Sequence, residues 1–286
     1  MKQKFFFTIF IFVAIVFSQN ADALTPLPEQ QLEILQNEIL LLQAMNKNYN
    51  LYETPVAGAY IAVDIATGKV LLAKNANEKF PMASVAKLMS AVVTLENINM
   101  KKKIVLTEKM LLPDGQTPAL YEGLKITASD LLKATLIQSS NDSAEALSYF
   151  LGKTKFIKLM NQKAKKLGMS KTVYYDTNGL NIKNKSTATD LAKLISYIYK
   201  KHPQILEITK NNDFWLPDQT GKMLKFKNGN GFYYMNNFVG GKSGYLDEAK
   251  NTFDSVFTVN GRPIAIAALY MPNRAADIFS ILRNIK

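Results

Sequence analysis

The 286-residue chain contains no cysteine. That absence excludes a disulfide framework, a thiol nucleophile, a thiolate metal site and a lipid-modified cysteine. Histidine is nearly absent too: His202, in the polar, proline-bounded run KKHPQ, is the single one. One imidazole cannot build a multi-histidine metal site, and this setting reads as a helix end or an exposed position rather than as a triad member. Any catalytic base therefore falls to a lysine or a carboxylate. The longest apolar run, FFFTIFIFVAIVF over 5–17, is short for a membrane span. The sequence shows no internal repeat, no low-complexity linker, and no zinc-finger, RNA-recognition or helix-turn-helix pattern, so nucleic acid is not expected as a partner.

What is present begins with an export signal. Lys2 and Lys4 precede the apolar run, and Ala21-Asp22-Ala23 supplies a small-x-small cleavage site. Residues 1–23 therefore read as a secretory signal peptide, placing the protein in a periplasm or outside the cell in association with the wall. Removing them takes away two lysines and Asp22, and the chain's net charge goes from +12 to +11. A basic exported protein is suited to peripheral contact with anionic wall or membrane surfaces. Residues 24–54 read as an amphipathic helix and linker, with Leu32, Leu35, Ile39 and Leu42 at helical spacing within 29–45. That stripe is short for a coiled coil, so it is read as lying on its own domain, and the oligomeric state stays open. A hydrophobic content of 48% gives the remainder, 55–286, core enough for one large domain.

Within that domain, Tyr60–Val63 and Val70–Ala73 read as a hairpin, and Thr252–Val259 and Ile264–Tyr270 as another around Asn260-Gly261. Between them the pattern is helical, over Ser84–Asn97, Ser129–Leu151, Lys155–Leu167 and Thr187–Tyr199, with Ser129 and Thr187 as expected N-caps. A last amphipathic helix follows from Arg274 to Ile285. Strands at both ends with helices between them predict an α+β domain: an antiparallel sheet built from both chain ends, helices on its faces and a helical subdomain between.

Three polar groups interrupt apolar surroundings. In PMASVAKLMSA, Ser84 and Lys87 are three apart and share a helix face. Burial lowers the pKa of a lysine, and the neutral amine can then take a proton from a neighbouring serine. A lysine snorkelling from a helix edge explains the tetrapeptide equally well. Ser139-Ser140-Asn141 sits at an expected break in ATLIQSSNDSAEAL, where a hydroxyl and an amide can relay a proton and hold a substrate amide; an ordinary turn or N-cap accounts for it too. Lys242-Ser243-Gly244, in VGGKSGY, reads as opening a strand with a cation and hydroxyl suited to a carboxylate, or simply as a glycine-rich turn.

Taken in order, S-x-x-K, S-x-N and K-S/T-G resemble the blocks of serine penicillin-binding proteins and active-site serine β-lactamases. The flanks LLKATLIQSSNDSAEALSYFLG, FIKLMNQKAKKLGMSKTVYYDTNGL, STATDLAKLISYI and NNFVGGKSGY narrow the resemblance to the D-alanyl-D-alanine carboxypeptidases of low molecular mass, over about 57–270. The resemblance implies a β-lactamase/transpeptidase-like fold and acyl transfer on peptidoglycan stem peptides ending in D-Ala-D-Ala. Ser84 would be the nucleophile, Lys87 its base, and Ser139 and Asn141 the relay and substrate-backbone contacts. Lys242 and Ser243 would bind the terminal carboxylate, and the Ser84 and Tyr245 N–H groups would form the oxyanion hole beside Gly244. Arg274 is the candidate for a late basic residue assisting the carboxylate. β-Lactams would acylate Ser84, and no metal or organic cofactor is implied.

The chain departs from the family pattern at several points. Ala86 stands before the lysine where threonine is usual, and Ser243 replaces the usual threonine. Leu246 and Lys250 occupy positions where threonine and glycine are expected. These changes keep two alternatives open beside the carboxypeptidase or endopeptidase: a non-catalytic wall- or partner-binding relative, and a serine β-lactamase. The lactamase would need a positioned carboxylate, for which Glu122 and Glu145 are the nearest in sequence.

Overall fold

A computed structural model of the chain describes residues 53–111, 117 and 119–285. The expected signal peptide over 1–23 and the leucine-striped helix over 29–45 lie outside the described residues. The hairpin of β1 (Ala59–Asp64) and β2 (Val70–Lys74) joins the late strands β3 (Phe238–Leu246), β4 (Lys250–Val259) and β5 (Arg262–Met271) in one antiparallel sheet of order β2-β1-β5-β4-β3. The two ends of the chain thus meet through Ala59–Asp64 paired with Ile264–Leu269. Asn260 and Gly261 both adopt positive φ (52° and 74°), the geometry that matches the natural twist of a two-residue hairpin.

Alternation along the strands divides two cores. Ile61, Val256, Ala265, Ala267 and Leu269 face the helical middle of the chain. Tyr60, Ala62, Phe253, Phe257, Ile264 and Ile266 face the terminal helix and an aromatic cluster around Phe232. Helix α1 (Ala86–Asn97) is buried along Ala86–Thr94, so it runs through the core rather than over it.

The helical stretch over 129–151 is interrupted at Ser139-Ser140, at the break expected there, into α2 (Ala128–Ile137) and α3 (Asn141–Tyr149). Thr127, not Ser129, caps α2, its hydroxyl accepting from the Asp130 N–H at 3.1 Å while Asp130 accepts the Thr127 hydroxyl in return. Ser140 caps α3. Helices α4 (Lys153–Lys166), α5 (Ala188–Lys201), capped by Thr187 as expected, and α6 (Pro203–Thr209) complete the middle. Helix α7 (Arg274–Asn284) covers the other face of the sheet. A small hairpin, Asp213–Pro217 with Met223–Lys227, was not foreseen. Among the described residues no helix is long and apolar enough to cross a membrane.

Candidate active site

Ser84 lies in a single 3-10 turn, Ala83–Val85, that leads into α1. Its backbone is gripped from two sides. The 176–181 loop presses Gly179 against Ala83: a Cβ added to Gly179 would fall 2.0 Å from the Ala83 carbonyl oxygen. On the other side, a Cβ on Gly244 of β3 would fall 2.6 Å from the Ser84 nitrogen. Ala83 itself is held at φ +48°, a conformation costly for a residue with a side chain. The Thr252 hydroxyl donates to the Met82 carbonyl at 3.0 Å, and the Met82 N–H donates to Asn184.

Lys87, one turn on, is fully buried. Its ammonium donates to Ser84 Oγ at 2.9 Å, to Asn141 Oδ1 at 2.7 Å and to the Asn178 carbonyl at 2.6 Å. Burial lowers its pKa from 10.5 to about 7, with Asp176 and Asp142 pulling the other way. Once the amine is neutral, its two remaining N–H groups can stay on the two carbonyl oxygens. The lone pair then faces the Ser84 hydroxyl. Burial thus leaves an amine of lowered pKa within hydrogen-bond reach of one serine oxygen.

Asn141 reaches Lys87 because the α2–α3 break places it at the first position of α3. Ser139, just before the cap, takes φ +63°. From the sheet, Lys242 is only 2% exposed, and its amine donates to the Ser243 carbonyl at 2.7 Å. Burial first, then Lys87 and Arg274, push its pKa well below the usual lysine range. Lys242-Ser243-Gly244 sits within β3 rather than opening it, since the strand begins at Phe238. Arg274, the first residue of α7, donates weakly to the Gly229 carbonyl, and burial lowers its pKa.

These parts share one cleft of about 260 Å³, lined by Ser84, Ser139, Asn141, Ser243, Gly244, Tyr245 and Arg274. The structure thus brings the sequence-predicted residues together, with Lys87 and Lys242 buried behind the lining rather than part of it. Gly179, Leu180 and Leu246 complete the lining. The 176–181 loop received no role from the sequence, although its TNGL turn carried the signal. The Asp176 carboxylate accepts from the N–H groups of Asn178, Gly179 and Asn181 and from Asn184 Nδ2, at 2.6–3.2 Å. This fixes both the Asn178 carbonyl on Lys87 and Gly179 on Ala83.

No carboxylate lines the cleft among the described residues. Glu145 is buried and pairs with Lys153 at 2.6 Å, and Glu122 is exposed beside Glu108; neither faces Ser84. His202 caps the junction of α5 and α6 and binds Glu96, apart from the cleft.

Comparison with known proteins agrees with this geometry. The family model described as D-alanyl-D-alanine carboxypeptidase matches residues 46–272. A D-alanyl-D-alanine endopeptidase of Escherichia coli is 31% identical over 225 residues, which cover 74% of this chain and 71% of that protein. A D-alanyl-D-alanine carboxypeptidase of Mycobacterium tuberculosis superposes with a TM-score of 0.75 at 26% identity, over 81% of this chain and 90% of that one. Penicillin-binding protein D2 of Listeria monocytogenes, solved with cefotaxime bound, superposes at 0.70 with 28% identity, over 80% and 96%.

Proposed function

The chain belongs to the D-alanyl-D-alanine carboxypeptidase family, and from that premise we propose that it hydrolyses D-Ala-D-Ala-terminated peptidoglycan stems through an acyl-enzyme on Ser84. The observation that carries this reading is the 2.9 Å contact between Ser84 Oγ and the buried Lys87 amine.

In the first half-reaction neutral Lys87 takes the Ser84 proton as Oγ attacks the penultimate D-alanine carbonyl. The Ser84 and Tyr245 N–H groups receive the developing oxyanion. The proton passes by way of the Ser139 hydroxyl on the cleft wall to the departing D-alanine nitrogen as the C–N bond breaks, and Asn141, which holds the Lys87 amine in place, also holds the stem's backbone. Arg274 and Ser243 on the cleft wall, with the buried Lys242 amine behind them, bind the terminal carboxylate, while Gly244 lets the stem lie close to the strand. Water, deprotonated by the same relay, then attacks the ester and releases the shortened stem with Ser84 restored. A β-lactam enters the same first step, with ring opening in place of D-alanine loss.

A second reading, cleavage of cross-links rather than stem ends, is favoured by the similarity to the E. coli endopeptidase. A lactamase is disfavoured because, among the described residues, no carboxylate lines the cleft to drive fast deacylation. The signal-like segment 1–23 supports export to the wall compartment, with 24–54 as helix and linker and 55–286 as the catalytic domain. The net charge supports peripheral contact with anionic surfaces.

The test is a fluorescent penicillin followed by mass spectrometry, with Ser84→Ala as control. A stable adduct on Ser84 that the variant lacks is the expected result. Rapid antibiotic hydrolysis without an adduct would move the reading to a lactamase. Neither adduct nor hydrolysis would move it to a non-catalytic binding protein.

A further inference from the structure

Nearly all of the chain's excess charge lies in one stretch. Residues 152–203 hold twelve lysines against two acids, Asp176 and Asp190, and no arginine or glutamate, a net +10 in a chain of +12 overall. Neither acid is available to a partner. Asp190 is 2% exposed, accepts from the Lys171 N–H and pairs with Lys193, and Asp176 is consumed by its loop.

The lysines are not scattered. Along α4, Phe156, Met160 and Ala164 form the buried stripe, while Lys155, Lys158, Lys165 and Lys166 stand exposed on the opposite side. Among the described residues no carboxylate pairs with any of these four. From the end of α4 the charge continues toward the cleft. Lys193 Nζ donates to the Gly168 carbonyl, just past the helix. Lys171 follows, and Lys185 is bridged to Val173 two residues further on. Lys183 lies over the exposed Tyr175 ring, close in sequence to Leu180 on the cleft wall.

We propose that this lysine face is the docking surface for the substrate polymer: a wall strand whose repeated stem carboxylates lie along it while one stem enters the cleft. The inference rests on the reading that Ser84 works on wall peptides, and it adds how the polymer that carries them is held. Each exposed ion pair contributes little alone. A polymer that presents many carboxylates to many lysines gains from every further contact without a new encounter. A lipid surface fits less well, because helices that lie on membranes carry large apolar side chains for insertion. The exposed side of α4 carries none, and the exposed large apolar residues of the stretch, Tyr175 and Ile182, lie in the segment beside the cleft.

The test uses the full chain carrying Ser84→Ala, which binds without turnover, mixed with purified insoluble peptidoglycan at rising salt. Adding Lys155→Gln, Lys158→Gln, Lys165→Gln and Lys166→Gln together is expected to weaken wall binding about tenfold or more, and salt to weaken the parent similarly. With Ser84 intact, the four-lysine variant is expected to label with fluorescent penicillin and cleave a short soluble stem peptide at the parent's rates, while losing turnover on the insoluble wall. Wall binding indifferent to the four substitutions or to salt would overturn the proposal. So would sedimentation with vesicles of phosphatidylglycerol and phosphatidylcholine in equal parts but not with wall. Failure of the parent to label with penicillin would count against the catalytic reading alone, since salt-sensitive wall binding would still stand.

Discussion

Lys242 and Asp254 are directly opposed across β3 and β4, yet they do not pair. The Lys242 amine donates to the Ser243 carbonyl instead. Asp254 is fully buried, and neither of its oxygens makes a hydrogen bond among the described residues. Burial raises the Asp254 pKa well above the carboxylate range, with the Ser255 N–H acting the other way, and burial lowers that of Lys242. Two groups that would form an ion pair in water are thus each driven toward the neutral form.

Asp254 should therefore make stability depend on pH. Its folded pKa is raised above its unfolded value of about 3.9. Its contribution is fully present below that value and is lost as pH rises through the folded pKa. Asp254→Asn cannot ionise, so its melting temperature should gain on that of the parent steadily from about pH 4 upward. A difference that stays constant between acid and alkaline buffers would mean the carboxyl is not held neutral.

For Lys87 the same physics acts on catalysis. In the proposed mechanism the base is the neutral amine, and burial lowers its pKa to about 7. Penicillin acylation should climb with pH through about 7 and level off above it. Lys87→Ala should lose on the order of 10²–10⁴ in acylation rate on the plateau above the limb, lose progressively less at lower pH, and show no limb of its own. Stopped-flow acylation across pH checks both. A limb near the ordinary lysine pKa would mean that Lys87 works exposed.

How much of this was legible in the sequence depended on distance along the chain. Ser84 and Lys87 could be placed on one helix face because that is a local fact, but only the resemblance decided between a base and a snorkelling lysine, whereas Asn260-Gly261 named its own turn. The paired ends of the sheet followed from where strand patterns lay. The glycine-rich run before Lys242 misled, because glycine reads as a turn. Gly240 and Gly241 are instead strand residues whose missing side chains admit Leu206 and Ser255, at 2.6 and 2.5 Å from where a Cβ would stand. Thr127 displaced Ser129 as a cap by a shift of two residues, within the reach of equivalent hydroxyls. The grip of Gly179 on Ala83 was invisible, since it joins residues 96 apart through a loop shaped by Asp176.

That grip predicts a contrast between two glycines. Gly179 (φ +88°) and Gly168 (φ +69°) both adopt left-handed backbone, but only Gly179 is crowded. Gly168→Ala should cost only the strain of that conformation, about 1–2 kcal/mol, and label with penicillin normally. Gly179→Ala must also displace Ala83, and displacing a nucleophile by about 1 Å costs roughly 10²-fold. Penicillin labelling and urea denaturation of both variants separate the effects. Equal labelling would show that the loop does not set the position of Ser84.

The departure at Lys250 carries the last prediction. The resemblance led glycine to be expected there, and the structure holds Lys250 at φ +50°, opposite Leu246 at the end of the β3–β4 hairpin. A residue with a Cβ pays about 1–2 kcal/mol in that region, while glycine gives back part of the gain through its freer unfolded chain, about 0.4–1 kcal/mol. Lys250→Gly should therefore stabilise the protein by about 1 kcal/mol, a rise of about 2–4 °C in melting temperature for a domain of this size. Lys250→Ala removes the same charge and keeps the Cβ, so it should gain nothing. Penicillin labelling should stay at the parent's rate in both, because Lys250 is absent from the cleft lining while Leu246 is part of it. If alanine stabilises as much as glycine, the benefit comes from removing a lysine from an already basic surface, and the backbone at 250 is not strained.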